Sequence, residues 1–175
     1  MCSAFISFIS SFAENAMSLR RRVVRERVLQ ALYAYELSHE PIQFIIENIV
    51  FDLEKQPESY AFAKQLILKV IECNKELDDL IRQRIEHWEF NRLAIIDRIV
   101  LRMSICELLY FDDIPPKVTM NEAIEIARDF STEKSDKFVN GVLDSILDDL
   151  KNDGRIKKSG RGLVNTGANK QSKQQ

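Results

Sequence analysis

The sequence predicts an all-α fold, and three observations carry that prediction. Apolar residues recur every three to four positions through most of residues 19–150, which is the period of a helix with one buried face. No segment alternates at period two for long. Five Gly and four Pro in 175 residues are few for a chain that would need many special turns to fold as all-β. Hydrophobic residues at 45% and charged residues at 30% can build a real core.

The elements follow in order. Val24, Val28, Ala31, Leu32 and Tyr35 form one face of a helix over Leu19–Leu37. Pro41 suits the first position of a second helix, with Ile42, Ile45, Ile46, Ile49, Val50 and Leu53 as its stripe. Ser59 suits the cap of a long third helix carrying Phe62, Leu66, Val70, Leu77, Ile81 and Ile85, with Cys73 as a small apolar step. The pattern weakens near His87–Asn91. A fourth helix over Leu93–Phe111 is apolar on more than one side, so it is expected to be central. Arg92, Asp97, Arg98, Arg102 and Glu107 interrupt it, which implies that part of it reaches water or a partner. Pro115 and Pro116 stop it. Thr119 and Glu122 have the spacing of a capping box, which would start a fifth helix at Met120–Phe130. A polar connection, Ser131–Ser135, leads to a sixth helix with Phe138, Val142, Ile146 and Leu150. Gly141 inside it suggests close helix packing.

The net charge of −2 hides a pattern. Residues 151–175 carry seven Lys/Arg and one Asp, so they are strongly basic and the preceding 150 residues are acidic. Within that acidic body Arg20, Arg21, Arg22, Arg25 and Arg27 stand against Glu26 alone. Such a cluster is a localised anion site. Its position at the positive end of a helix dipole is unfavourable for the helix itself, and a local rule broken in this way is often broken for function. A solvated Arg22–Glu26 pair remains the plainer reading. Residues 1–17 are read as a non-native or disordered extension, with translation starting at Met17. A weak amphipathic extension is the alternative. The folded domain is placed at 18–151, and residues 152–175 are read as a disordered basic tail.

Little enzymatic chemistry is present. There is no HExxH, zinc spacing, EF-hand loop, Walker A loop, GxGxxG or GxSxG, so no metal or cofactor is expected. The acid pairs Asp78-Asp79, Asp112-Asp113 and Asp148-Asp149 are adjacent in sequence and read as solvated surface. Three unpaired Cys without a CxxC argue against a disulfide framework and for a reducing compartment. No apolar run is long enough to span a bilayer. The sharper signal is basic. Arginines fork onto phosphate, and single-stranded RNA stacks its bases on aromatic rings. Lys134 and Lys137 beside Phe138 offer a second basic-aromatic element, although on pattern alone Phe138 is a core residue.

Four blocks carry a family resemblance: the arginine run with Arg25-Glu26 and Gln30-Ala-Leu-Tyr33; Arg92-Leu93 with Asp97–Arg102 and Cys106-Glu-Leu-Leu109; Asp113–Val118 running into Asn121-Glu-Ala-Ile-Glu-Ile-Ala127; and Ser135 with Lys137-Phe-Val-Asn-Gly-Val-Leu143. In order and spacing the chain resembles the NusB family of bacterial transcription antitermination factors over about residues 19–147. The resemblance implies six to seven helices in two packed subdomains, a cytoplasmic protein and no catalysed reaction. It implies pairing with the small-subunit ribosomal protein NusE, and binding to boxA RNA of ribosomal RNA operon leaders. It further implies assembly with other Nus factors on RNA polymerase, and self-association into a homodimer that hides the RNA face.

Residue by residue, the resemblance implies RNA contacts at Arg21, Arg22 and Arg25, with Arg20 as a neighbour. It adds Tyr33 near the RNA and NusE surface, and Lys137 and Phe138, with Lys134 beside them. Asp97, Arg98 and Glu122 are implied for the NusE face. Val23 and Val24 depart from a pattern that can be more basic there. On this reading, Arg21→Ala with Arg25→Ala weakens RNA binding and leaves the fold intact. An alternative is a helical protein-interaction module in ribosome assembly that does not bind RNA. The NusB-like domain of some ribosomal RNA methyltransferases is disfavoured, because a chain ending at residue 175 leaves no room for a methyltransferase fold.

Overall fold

In a computed structural model of the chain, residues 21–38, 40–85 and 89–156 are described. Arg20, the N-terminal extension, the two histidines and the tail from residue 157 lie outside them. Among the described residues there are seven α-helices and no strand. Residues 21–38 are helical throughout and are called helix α1. It is followed by α2 (Ile42–Ile49), a 3₁₀ turn (Phe51–Leu53), α3 (Pro57–Glu72), α4 (Asn74–Arg82), a second 3₁₀ turn (Phe90–Arg92), α5 (Ile95–Tyr110), α6 (Pro116–Phe130) and α7 (Ser135–Asn152).

The apolar stripes predict the core well. Val24, Val28, Ala31 and Leu32 of α1 are buried, as are Ile45 and Ile46 of α2 and Leu66, Val70, Leu77 and Ile81 of α3 and α4. Helix α5 is central. It packs against α3 and α4 on one side and against α6 and α7 on the other. Every residue of α5 from Ile99 to Leu108 is buried. One core of buried side chains runs through both halves. Among the described residues no helix is long and apolar enough to cross a membrane.

Several local expectations are corrected. Pro41 caps α2 instead of opening it. The third helix starts at Pro57, whose fixed φ and missing N–H suit the first position, and Ser59 lies inside its first turn. That helix is not continuous: Cys73 departs from helical geometry (φ −96°, ψ 10°) and serves as the cap of both α3 and α4. Pro115 and Pro116 do not merely stop α5. Pro116 opens α6, so Thr119 is buried inside the helix instead of capping it. Gly141 is exposed, and a Cβ there would meet nothing within 4 Å, so close packing is not its reason.

The folded unit reaches further than expected at its C-terminus. Helix α7 ends in a Schellman turn, with Arg155 N–H donating to Leu150 O at 2.9 Å and Gly154 N–H to Lys151 O at 3.1 Å. Gly154 takes the left-handed conformation this requires (φ 65°). Arg155 then forms an ion pair with Glu76 of α4, and Ile156 packs against the core.

The charges on α5 do not reach for water. Arg102 donates to both carboxylate oxygens of Asp78 on α4, at 2.6 and 2.9 Å, and also pairs with Glu36 of α1. Asp78, expected on a solvated surface, is therefore buried with Arg102. Asp97 accepts from Ser135 Oγ at 2.9 Å, which ties the start of α7 to the start of α5.

Candidate nucleic-acid interface

The arginine cluster of α1 divides by helical geometry. Arg21 is exposed, Arg22 half-buried and Arg25 only 3% exposed. Arg25 lies three, four and seven residues before Val28, Leu29 and Leu32, so it belongs to the buried face. Its Nε and Nη2 donate to the two carboxylate oxygens of Glu107 at 2.7 and 2.8 Å. Nη1 donates to the carbonyl of Arg21 at 3.3 Å, and the guanidinium sits 5.4 Å from the ring centroid of Phe62. Thr119 Oγ1 donates to the same Glu107 carboxylate at 3.1 Å. Burial opposes the charge on Arg25, but the Glu107 carboxylate outweighs it and raises the pKa further. Arg25, which the family resemblance places among the RNA contacts, is thus buried in the fold, where it ties the Arg21–Arg25 turn of α1 to Glu107.

Arg22 links two helices. It donates to Glu26 Oε1 at 2.9 Å and to Asp129 Oδ2, in the last turn of α6, at 2.5 Å. The chain passes from there through residues 131–134 into α7. Arg27 pairs with Asp52 at 2.9 Å. Beside Arg21 opens a cleft of about 630 Å³ lined by Val24, Phe62 and Ile114, by Gln56 and Ser59, and by the acids Glu58 and Asp113.

Lys134 and Lys137 are exposed at the start of α7. Phe138 is half-buried against the core and also lines a surface depression of about 290 Å³ with Arg84, Lys137, Gly141 and Ser145. Phe138 thus packs on the core, as the pattern alone predicts, while keeping one side at the surface. Tyr33 is exposed on the outer side of α1. Leu37 lies one turn further along, and Phe44 and Phe51 are 55% and 60% exposed.

The three candidates for the partner face are less accessible. Asp97 is buried, and its Oδ1 makes no hydrogen bond. Arg98 is half-buried, 3.4 Å from Glu36, with its guanidinium 5.7 Å from the centre of the Phe90 ring. Glu122 is half-buried beside Arg22 and Arg25, with Oε2 lacking a hydrogen-bond partner.

Burial raises the Glu122 pKa, and the nearby Arg25 and Arg22 only partly offset this. A carboxyl group raised on folding favours the folded state while protonated, and loses that contribution as pH climbs through its folded pKa. Glu122→Gln is therefore expected to stabilise the fold at pH 7, with the difference much reduced at about pH 4, near the ordinary Glu value. Urea midpoints of both proteins at the two pH values check this.

Among the described residues no group of three His, Cys, Asp or Glu is placed to hold a metal ion. What the geometry offers, among the described residues, is a partly apolar surface of mixed charge on which Arg21, Lys134 and Lys137 are exposed. The NusB family model matches residues 22–148. The chain belongs to the NusB family. It is 44% identical over 156 residues to the transcription antitermination protein NusB of Chloroherpeton thalassium, covering 89% of this chain and 74% of that one. It is 43% identical over 145 residues to NusB of Salinibacter ruber, covering 82% and 91%. Among solved structures it resembles T. maritima NusB (TM-score 0.69, 42% identity, 73% of this chain and 90% of that one). It also resembles a chain in a crystal structure of antitermination factors NusB and NusE in complex with dsRNA (TM-score 0.64, 25% identity, 74% and 97%).

In this NusB domain the residues that sequence reasoning missed are the supports of the arginine helix. Glu107 holds Arg25, and Thr119 in turn donates to Glu107. Asp129 holds Arg22, and exposed Arg128 beside it is itself paired with Glu125 and Asp136. Glu107 had a signal: a lone acid amid the apolar run from Met103 to Leu109. Asp129 had none, because its partner is 107 residues away in sequence.

Proposed function

We propose that the chain is an RNA-binding transcription antitermination factor that pairs with NusE and binds boxA-type single-stranded RNA of ribosomal RNA operon leaders. It acts with other Nus factors on RNA polymerase and catalyses no reaction. The observation that carries this reading is the start of α1, where Arg21 is exposed beside the cleft walled by Val24, Phe62 and Ile114. A guanidinium beside an apolar cleft can take a phosphate while a neighbouring base is buried. Arg22, Tyr33, Lys134, Lys137 and Phe138 are assigned to the same function. Arg25 supports it from inside. The naming of relatives for antitermination, one of them solved with NusE and dsRNA, supports the class of ligand. The exposed apolar side chains Tyr33, Leu37 and Phe44 suit a protein partner.

A second reading, a helical protein-interaction module that does not bind RNA, is favoured by one observation. Arg25 is buried and Arg22 is doubly paired, which leaves less free positive charge than the sequence suggests. Titration of a fluorescent boxA-type RNA at two salt concentrations, with and without NusE, separates the two. The RNA reading expects affinity that falls steeply with salt and rises with NusE. Arg21→Ala with Arg22→Ala is expected to weaken binding by roughly tenfold or more, since hydrogen bonds to charged groups are the strong ones. NusE binding without RNA binding would favour the module.

A further inference from the structure

Arg22 does not meet solvent as an unpaired cation. Its Nε donates to Glu26 Oε1 at 2.9 Å and its Nη2 to Asp129 Oδ2 at 2.5 Å. Only 16% of its side chain is exposed. Carboxylates from two helices thus occupy donor positions that a phosphate would take on the guanidinium fork. The two acids are not equivalent. Glu26 is a neighbour on the same helix, one turn along, and is 26% exposed. Asp129 comes from α6 and is 54% exposed, so it is the outer partner and the one an incoming strand would meet.

We propose that Asp129 is an autoinhibitory competitor for Arg22, one that holds down affinity for RNA. This rests on the RNA-binding reading above. Phosphate contact at Arg22 then exchanges one solvent-exposed ion pair for another, and exposed pairs contribute little net free energy. A strand that offers only phosphates gains little there. A strand that also places a base against an aromatic or apolar wall keeps the gain from stacking, which is independent of Arg22. Asp129 therefore lowers affinity by a similar factor for every strand that sets a phosphate on Arg22. Glu26 keeps the Arg22 side chain in place when Asp129 is neutralised, so Asp129→Asn frees a donor without releasing the arginine.

The test uses the full chain as wild type, Asp129→Asn, Arg22→Ala and the double variant, with labelled boxA-type RNA and labelled uridine homopolymer at two salt concentrations. Asp129→Asn is expected to bind both the homopolymer and the boxA-type RNA about threefold tighter, since an exposed pair is worth under about tenfold. Its salt slope for the homopolymer steepens by about 0.7, one phosphate's share for single strands. In the Arg22→Ala background Asp129→Asn changes nothing. Unchanged or weaker homopolymer binding by Asp129→Asn would overturn the proposal. So would an equal gain in the Arg22→Ala background, which would reduce the effect to net charge. Both leave the RNA-binding reading standing. Failure of the wild type to bind either RNA would sink that reading and the proposal with it.

Discussion

Glu107→Ala is expected to destabilise the protein by about 3–5 kcal/mol, because it leaves the Arg25 guanidinium charged, buried and without its carboxylate. The pair is enclosed on both sides, with side-chain exposures of 3% and 2%. Thr119 Oγ1 loses its acceptor in the same step. The loss is expected to reach function as well, since Arg25 also donates to the carbonyl of Arg21 and so fastens the first turn of α1. Chemical denaturation measures the stability change. RNA titration at low temperature, where the variant stays folded, measures the effect on binding. Arg25→Met with Glu107→Leu should recover most of the stability, because an apolar pair of similar volume needs no counter-charge. If Glu107→Ala unfolds at the wild-type denaturant midpoint, the pair is not a structural anchor. By the same physics the sequence expectation that Arg25→Ala leaves the fold intact is revised: it strands Glu107 inside the protein.

Much of the architecture was legible because burial imposes a period. The stripes on α1, α2, α3 and α7 name side chains that are buried or packed against the core. The break at Cys73 was not legible. The apolar stripe runs through it from Val70 to Leu77, and no Gly or Pro marks it. The start of α6 was misplaced because two signals competed, a capping-box spacing at Thr119–Glu122 and a proline suited to the first position at Pro116. The proline won, and the Thr119 hydroxyl turned inward to Glu107. Gly141 was misread because a helical glycine can as well lie on an open face.

The site divides along the same line. Exposure of Arg21, Lys134 and Lys137 follows from local helix geometry. The fates of Arg22 and Arg25 depend on acids 107 and 82 residues away, so linear clustering grouped three arginines that the fold separates. The charges of α5 were read as facing water or a partner for the same reason: their counter-charges come from α1 and α4.

Arg102 allows stability and binding to be separated. Arg102→Met is expected to cost about 2–4 kcal/mol, somewhat less than the loss of Glu107, because Glu36 lies nearer solvent and can rehydrate while Asp78 cannot. Burial opposes the charge on Arg102, but Asp78 and Glu36 together outweigh it and raise its pKa, so the arginine is held charged by the groups it would strand. The triad joins Glu36, near the end of α1, to α4 and α5, three turns away from Arg25 along the same helix. It makes no hydrogen bond to the first turn. The variant should therefore lose a large share of its stability and still bind boxA-type RNA within about twofold of the wild type at low temperature, where both are folded. Glu107→Ala, of comparable or greater energetic cost, should not. Equal losses of RNA affinity in the two variants would mean that α1 responds to general loosening of the core, and that Arg25 has no particular part in presenting Arg21 and Arg22.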